Sequence, residues 1–210
     1  HEIKNPLTPI QLSAQRLRKR YLDKITTDAE VFDQCTRTIV NQVEEIKRLV
    51  SEFSDFARMP QVKKKMGNIV TIAEDVLILY REAHKHIAFS ITCREAIPEF
   101  SFDPVQIKRI LINLLDNAVS VLAEGGKIGI TFSVNQPERT VVMEVADNGP
   151  GIQDAIKLRL FEPYFSTKKS GTGLGLAIAN TIVTEHNGTI RVRDNQPHGT
   201  VFLVELPLDT

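Results

Sequence analysis

Two stretches near the start of the chain carry apolar residues at alternating steps of four and three. The first stretch has Leu7, Ala14 and Tyr21 on one row, and the second has an apolar residue at 32, 39, 46 and 53. This heptad spacing predicts two amphipathic helices, joined across DKITTD (23–28). A hairpin of two helices buries too little apolar surface to be stable alone. We therefore expect two copies to form a homodimeric four-helix bundle, with packing against the rest of the same chain as the alternative.

The periodicity changes after RMPQVKKKMGN (58–68), which holds a proline, a lysine run and a glycine, the composition of a linker. Before residue 67 the chain has 13 Lys/Arg and 9 Asp/Glu, and from 67 onward it has 13 and 17, so charges of +4 and −4 cancel. We predict a hairpin module over 1–60, a linker over 61–67 and a second domain over 68–210.

The composition excludes several classes of function. A net charge of zero argues against nucleic acid as the main partner. Cys35 and Cys93 lie far apart, without the Cys/His spacing of a zinc site, and we expect them to be reduced. No apolar run approaches the roughly 18–20 residues that a membrane helix needs, so we expect no membrane contact within this stretch of chain.

The second domain alternates strand and helix patterns. Asp103-Pro104 suits the start of a helix, and His186 would end a later helix, where a positive charge is favourable. Helices on one face of a mixed sheet make an α+β fold of the α/β sandwich type. The patterns predict strands near 67 and over 87–94, 99–102, 127–134, 140–147, 189–195 and 200–207, and helices up to about 86, over 104–124 and over 174–185.

Four stretches of this domain combine polar residues with glycines: NLLDNAVSVL (113–122), DNGPGI (147–152), FEPYFSTKKSGTGLGLAI (161–178) and HGTVFLVE (198–205). Each alone is a weak signal. DNGPG is most often a turn, and GTGLGL lacks the Lys-Ser/Thr of a P-loop and the preceding strand of a dinucleotide fingerprint. Their order is more specific. An asparagine-bearing helix, an Asp-x-Gly-x-Gly strand end and a glycine loop that opens a helix together predict a nucleotide site.

Each part of this pattern fits a bound nucleotide. Glycines let backbone N–H groups approach phosphate, and the helix starting near Leu174 offers its positive end to an anion. Asn113 and Asn117 are one turn apart and can aim at one polar target, for which hydrated Mg²⁺ between phosphates is suitable. Asp147 can accept a hydrogen bond from a base amino group. Phe161 gives the segment 161–175, called the lid below, an apolar contact for closing over the ligand.

These motifs resemble those of the transmitter region of sensor histidine kinases, and the resemblance covers nearly the whole chain. HEIKNPLTPI (1–10) resembles the family's H box and INLLDNAVSVL (112–122) its N box, while DNGPGI, FEPYFSTK and GTGLGLAI resemble its G1, F and G2 boxes. The H-box sequence is most similar to NtrY-type kinases of nitrogen regulation. The resemblance implies a dimerisation and phosphoacceptor hairpin followed by an ATPase domain of the Bergerat (GHKL) fold.

The resemblance further implies an ATP-dependent protein histidine kinase of a two-component system, with ATP and Mg²⁺ as cofactors. His1 would take the γ-phosphoryl group and pass it to an aspartate on the receiver domain of a response regulator. Glu2 would accept a proton from the histidine ring, and Asn5 would orient water when the phospho-regulator is hydrolysed. Asn117 would ligate the metal. The other residues that the resemblance assigns to nucleotide binding are Asn113, Asp147, Gly149, Gly151, Phe161, Lys168, Gly171, Thr172, Gly173, Leu174, Gly175 and Thr200.

Two alternatives remain open at this point. One is another GHKL-type ATPase, of the chaperone or topoisomerase kind, although such enzymes use a glutamate that the turn from Asn113 to Asn117 lacks. The other is a dimeric scaffold that binds nucleotide without kinase activity. The chain also departs from many relatives, which place a lysine or histidine and then an aromatic residue where this chain has Ser120 and Val121. A phosphate-binding cation from that helix is therefore not predicted.

The chain begins at the predicted phosphoacceptor, without the residues that precede it in the family. We therefore expect an N-terminally truncated hairpin, in which His1 is disordered or less reactive than in the parent protein. The resemblance also implies that the parent protein is anchored in the bacterial inner membrane, with this region in the cytoplasm.

Overall fold

The structure is a computed structural model that describes residues 4–25, 27–57, 61–122, 124–168 and 172–208. Its backbone divides into two compact units. None of the described helices combines the length and the apolar character needed to span a bilayer. The helices are α1 Lys4–Tyr21, α2 Ala29–Ala57, α3 Ile69–Ala83, α4 Pro104–Val119, α5 Asp154–Lys157 and α6 Gly175–Glu185. The strands are β1 Lys65–Gly67, β2 Ile87–Cys93, β3 Phe100–Phe102, β4 Gly126–Asn135, β5 Thr140–Asp147, β6 Thr189–Asp194 and β7 Thr200–Pro207.

The first unit, His1–Met59, is the predicted helical hairpin. Helices α1 and α2 pack against each other, and a short 3-10 helix, Leu22–Lys24, follows α1 at the turn. Polar pairs also join the two helices. Arg18 Nε lies 2.5 Å from Asp33 Oδ1, and this hydrogen bond lowers the pKa of the Asp33 carboxyl. Partly exposed pairs of this kind contribute little to stability, so the packing of the two helices matters more.

Most residues of the heptad rows that predict the hairpin are not buried between α1 and α2. Among the hydrophobic residues of this unit, only Ala14 and Val43 are buried within the described part. By contrast, Ile10 and Leu17 are each 48% exposed, and Ile46 is 40% exposed. A helix of a four-helix bundle contacts two neighbours, so its apolar surface is wider than one row. In a single copy, the predicted rows therefore form an uncovered apolar face.

The second unit, Pro60–Thr210, has a five-stranded sheet in the order β2-β4-β5-β7-β6. Strands β2 and β4 are parallel, and the other neighbouring strands are antiparallel. Helices α3, α4 and α6 contact the sheet and one another, and the strand residues on that face, such as Phe132 and Val204, are fully buried. The opposite face is polar: Glu144 pairs with Arg94 at 3.2 Å and with Arg193 at 3.0 Å. The predicted α/β sandwich is confirmed.

Two boundaries differ most from the prediction. Part of the linker predicted over 61–67 forms β1, which pairs antiparallel with β3. Helix α4 ends at Val119 rather than near 124, because the chain turns there: the backbone N–H of Leu122 donates to the carbonyl oxygen of Val119 at 3.2 Å. Gly125 then has a φ of 81°, which a right-handed helix does not use. The one-turn helix α5 was not predicted.

A buried joint ties the start of α4 to the end of α6. The Asp103 side chain caps α4 by accepting from the backbone N–H groups of Val105 at 3.0 Å and Gln106 at 3.2 Å. The backbone N–H of Asp103 donates to His186 Nε2 at 3.0 Å, and His186 Nδ1 donates to the carbonyl oxygen of Ile182 at 2.8 Å. His186 Nε2 is thus a hydrogen-bond acceptor within this joint. His186 directly follows α6, which ends at Glu185 as predicted, and its side chain is buried. The favourable positive charge at this helix end stays a prediction.

Acid should weaken this joint. Burial would raise the pKa of the Asp103 carboxyl, but hydrogen bonds from backbone N–H groups, that of Lys63 foremost, hold it below its ordinary value of 3.8. Because the folded-state pKa is lowered, the stabilisation is present above the unfolded-state pKa and is lost as the pH falls through the folded-state value. We expect Asp103→Asn to lower the free energy of unfolding by about 1–2 kcal/mol at pH 7, with a smaller difference near pH 3. Urea unfolding at several pH values measures this, and Asp75→Asn, on an exposed position of α3, is the control.

Candidate nucleotide site

The predicted site residues of the hairpin are only partly described. His1 and Glu2 lie outside the described residues. The backbone of Asn5 belongs to the first turn of α1, which begins at Lys4, but its side chain is not among those described. The roles given to these three residues therefore stay predictions.

Asp147, the last residue of β5, is a buried acid of the second unit, with 4% of its surface exposed. Its Oδ1 accepts from the backbone N–H groups of Gly149 at 2.8 Å and Thr200 at 3.2 Å. Burial raises the pKa of this carboxyl, and the two hydrogen bonds act in the opposite direction. Both bonds reach the same oxygen, so they orient the carboxylate and leave Oδ2 for a further donor. The structure thus brings together three residues that the sequence predicted for one site.

Glycines let the loop after β6 reach the end of β5. Gly199 has a φ of 116°, and a Cβ there would lie 2.0 Å from the carbonyl oxygen of Asp147. A Cβ at Gly149 would lie 2.9 Å from Asp147 Oδ1. Gly151, also predicted, lies in the same turn as Gly149 and packs against the carbonyl of Gly199 in the loop after β6. Asn195 holds the loop by donating from Nδ2 to the Asp147 carbonyl oxygen at 2.7 Å. Sequence reasoning missed Asn195, which carries no motif signal beyond its place in a turn.

A cleft of about 370 Å³ opens beside this turn. Its walls include Val121 and Leu122, which follow α4, and Gly149 from the turn after β5. His198 is exposed and lines the cleft, with Nδ1 3.2 Å from the Gly149 carbonyl oxygen. The cleft has the size of a small-molecule site and joins an apolar wall to the polar turn.

Asn113 and Asn117 lie one turn apart on α4, as predicted. Asn117 Nδ2 donates to the backbone carbonyl of Asn113 at 3.0 Å, which leaves Asn117 Oδ1 to accept from Lys168 Nζ at 2.8 Å. The Nδ2 atom of Asn113 is buried and has no hydrogen-bond partner among the described residues. An unpaired buried amide is costly. The position therefore fits a ligand that offers an acceptor, such as a phosphate oxygen.

Two glycines at the end of the lid, Gly173 and Gly175, lie close to other parts of the site. Gly173 has a φ of 70°, and a Cβ there would lie 2.5 Å from the carbonyl carbon of Tyr164. Gly175 begins α6, and a Cβ there would lie 3.2 Å from Asn113 Oδ1. The N-terminus of α6, which favours an anion, therefore lies next to the α4 asparagines. Of the other predicted residues, Thr172 Oγ1 accepts from the N–H of the buried Leu174 at 3.3 Å, the Phe161 ring lies 6.5 Å from that of Phe202, and Gly171 is outside the described residues.

A chain of polar contacts that the sequence did not predict lies beside Asn117. The Tyr80 hydroxyl of α3 donates to Asp116 Oδ1 of α4 at 2.5 Å. Burial, and then this contact, raise the pKa of Tyr80 above its usual range. Desolvation lowers the pKa of the Lys168 ammonium, and the negative charge of Asp116 opposes that shift. Asp116 is part of the NLLDN motif, but nothing in the sequence pairs it with α3.

Asn117 Oδ1 fits a magnesium ligand by two criteria. It is an oxygen donor, the kind that Mg²⁺ prefers, and it already holds a cation, the Lys168 ammonium. Within the described part of the chain, no group of three or more His, Cys, Asp or Glu side chains is arranged to hold a metal. Mg²⁺ at Asn117 would therefore take its other ligands from phosphate and water, as it commonly does.

Two family models match the chain. Residues 102–210, just over half of the chain, match the model described as histidine kinase-, DNA gyrase B- and HSP90-like ATPase. The chain belongs to this ATPase family. Residues 1–61 match the His Kinase A (phospho-acceptor) domain, so this ATPase-family chain also carries the predicted phosphoacceptor module. The resemblance drawn from the sequence motifs is confirmed.

Known proteins similar to this ATPase-family chain cover both units. The nitrogen regulation protein NtrY of Azorhizobium caulinodans is 40% identical over an alignment of 213 positions, which covers 99% of this chain and 27% of NtrY. The structure of histidine kinase ThkA with the response regulator protein TrrA is 29% identical, with a TM-score of 0.74 over 100% of this chain and 59% of that one. Full-length ShkA in complex with AMPPNP is 25% identical, with a TM-score of 0.76 over 100% and 44%. The predicted similarity to NtrY-type kinases is confirmed, and the chain spans about a quarter of the length of NtrY.

Proposed function

We propose that this chain is the catalytic region of a two-component sensor kinase, an ATP-dependent protein histidine kinase. It would phosphorylate His1 and pass the phosphoryl group to an aspartate of a response-regulator receiver domain, and it would also act as a phosphatase of the phospho-regulator. The observation that carries the proposal is the combination, in one chain, of the buried Asp147 turn with a phosphoacceptor hairpin.

The second unit offers complementary groups to each part of ATP. Asp147 Oδ2 would accept a hydrogen bond from the adenine amino group, with the carboxylate oriented by Gly149 and Thr200. Asn113 Nδ2 would donate to a phosphate oxygen, which gives this buried amide a partner. The N-terminus of α6, beside Asn113, would stabilise the negative charge of the phosphates.

The chemistry is an in-line phosphoryl transfer. A bond forms between the γ-phosphorus and a ring nitrogen of His1, while the bond from that phosphorus to the β–γ bridging oxygen breaks and ADP leaves. Glu2 would accept the proton from the other ring nitrogen. Mg²⁺ held by Asn117 would supply charge neutralisation at the phosphates. In the second transfer, the P–N bond breaks as an aspartate oxygen of the regulator bonds to phosphorus.

Incubation with γ-labelled ATP and Mg²⁺ tests the proposal. We expect the chain itself to acquire a label that is lost in acid and kept in base, as phosphohistidine is. Each alternative gives another result. A nucleotide-binding scaffold would bind ATP and stay unlabelled, and an ATPase of the chaperone kind would release labelled phosphate without labelling the protein.

We also propose that the first unit works as a homodimer. The uncovered apolar face of the hairpin, which includes Ile10, Leu17, Ile39, Ile46 and Phe53, is 40–51% exposed at these positions. Packing this face against the same face of a second copy completes a four-helix bundle. The match to the phosphoacceptor domain supports a second copy as the partner.

Charges on this face should separate the copies. We expect the double variant Ile39→Glu/Ile46→Glu to raise the dissociation constant of the dimer by about 100-fold or more, since four apolar side chains per dimer are lost and four charges are desolvated. Analytical ultracentrifugation over a concentration series measures this. Gln34→Glu, which adds a charge at an exposed position of the same helix, should leave the dimer unchanged. A monomeric wild-type chain would contradict the homodimer.

The response regulator would dock on another side of the hairpin. A groove of about 470 Å³ between α1 and α2 is lined by residues that include Arg18, Lys19 and Arg37. With the exposed Leu12 and Arg16 of α1, it forms a basic and apolar surface for a receiver domain. The TrrA complex of ThkA supports a partner of this kind. Family membership supports a cytoplasmic place for this region, in a protein anchored in the bacterial inner membrane.

A further inference from the structure

The ammonium of Lys168 occupies the oxygen that the proposed function assigns to the metal. Lys168 Nζ lies 2.8 Å from Asn117 Oδ1, a normal length for a charge-assisted hydrogen bond. Asn117 is kept in this orientation because its Nδ2 is engaged with the backbone carbonyl of Asn113 at 3.0 Å. The contact spans 51 positions of sequence and joins the lid to α4.

Asp116 adds a negative charge to this contact, and Tyr80 fixes Asp116. Asp116 directly precedes Asn117 on α4, and its negative charge favours the ammonium form of Lys168. Its carboxylate is held by the Tyr80 hydroxyl at 2.5 Å. The Tyr80 ring in turn lies edge-on to Phe89 of β2, with 6.2 Å between ring centroids. The acid beside Asn117 is thus anchored to the sheet through α3.

We propose that Tyr80 and Asp116 are positioning residues that hold the Lys168 ammonium on Asn117 Oδ1. This contact ties residues 161–168 to α4 until a metal ion binds to that oxygen. The part that concerns the metal rests on the proposed function. A divalent ion and an ammonium on one amide oxygen would stand about 4 Å apart, and like charges at that distance repel strongly. The two cations therefore exclude each other at Asn117.

Hydrogen exchange of the nucleotide-free chain tests the contact without ATP or metal. We expect Lys168→Met to lower the protection of backbone amides in residues 161–168 about two- to fivefold, the range for one exposed charge-assisted hydrogen bond. Amides of β4 and β5 should not change. Lys85→Met removes another exposed lysine, one that pairs with Glu82 on α3, and should have no effect on residues 161–168.

A double-mutant cycle separates positioning from packing. Tyr80→Phe keeps the ring and removes the hydroxyl, and Asp116→Asn keeps the shape and removes the charge. We expect each to lower the protection of residues 161–168 in the wild-type background. Neither should lower it further when Lys168→Met is already present, because both act through that lysine. An effect of Tyr80→Phe that persists in the Lys168→Met background would show packing alone and overturn the role of Tyr80.

A titration with Mg²⁺ at fixed fluorescent ATP analogue tests the exclusion. We expect Lys168→Met to reach half-saturation at a Mg²⁺ concentration about two- to fivefold lower than the wild type, because Asn117 Oδ1 is no longer occupied. An unchanged Mg²⁺ midpoint, or unchanged exchange of residues 161–168 in Lys168→Met, would overturn the inference while leaving the kinase function standing. A wild-type chain that binds no nucleotide would refute the proposed function and the metal exclusion, while the exchange result would still decide the contact.

Discussion

Asp147→Asn is expected to abolish nucleotide binding while the second unit stays folded. The amide oxygen of asparagine can still accept from the backbone N–H groups of Gly149 and Thr200, which now meet Asp147 Oδ1 at 2.8 and 3.2 Å. The second oxygen becomes an NH₂ group, which cannot accept from an adenine amino group. The asparagine NH₂ group and the adenine amino group would then be two hydrogen-bond donors that face each other in a buried site. Loss of a buried hydrogen bond in this way strongly lowers affinity. We expect the Kd of an ATP analogue to rise about 100-fold or more.

We expect Asp147→Asn to keep the folding stability of the second unit or to raise it, although nucleotide binding is lost. Burial raises the pKa of Asp147, so the fold tolerates the charged form at some cost near neutral pH. Replacing the carboxylate by a neutral amide removes that cost. We expect the melting temperature to be unchanged or higher, which would separate loss of binding from loss of folding.

Glu144→Gln is the matched control for Asp147→Asn. It makes the same chemical change on the same strand, but on the opposite face of the sheet, where Glu144 pairs with Arg94 and Arg193. Calorimetric titration of both variants with the analogue is the measurement. Equal loss of binding in both variants, or wild-type binding by Asp147→Asn, would contradict the proposed role of Asp147 in nucleotide binding.

The order of elements and the turn around Asp147 were predictable because both are local in sequence. Alternation of period two marks β4 and β5, and the glycines of DNGPG follow Asp147 directly. Glycine without a Cβ is what allows Gly149 to lie against Asp147 Oδ1. For a motif of this kind, the local sequence is enough to predict the local backbone geometry.

The contacts of Lys168 were not predictable, because they depend on how distant elements are placed. Nothing in the lid sequence indicates that its lysine meets Asn117, and nothing in α3 indicates that Tyr80 meets Asp116. The hairpin gives a second example. Heptad spacing located α1 and α2, but a row of apolar residues does not say which neighbour covers it, and Ile46 faces away from the contact within the chain.

His1→Gln is expected to remove all acid-labile label from the chain while leaving nucleotide binding unchanged. Glutamine is polar and of similar reach, but its amide nitrogen is not nucleophilic, so no P–N bond forms. The residues proposed to bind the nucleotide lie in the second unit, on α4, on α6 and in the turn after β5. Binding of the analogue should therefore match the wild type, and only phosphoryl transfer should be lost.

The decisive comparison is with another histidine of the same chain. His86→Gln changes an exposed residue between α3 and β2, and it should label at the wild-type rate. Quantified label after equal incubation, with acid and base treatment of each sample, distinguishes the two variants. Label that survives His1→Gln would place the phosphoacceptor elsewhere, because a chain that still binds ATP and still forms phosphohistidine must use a different ring.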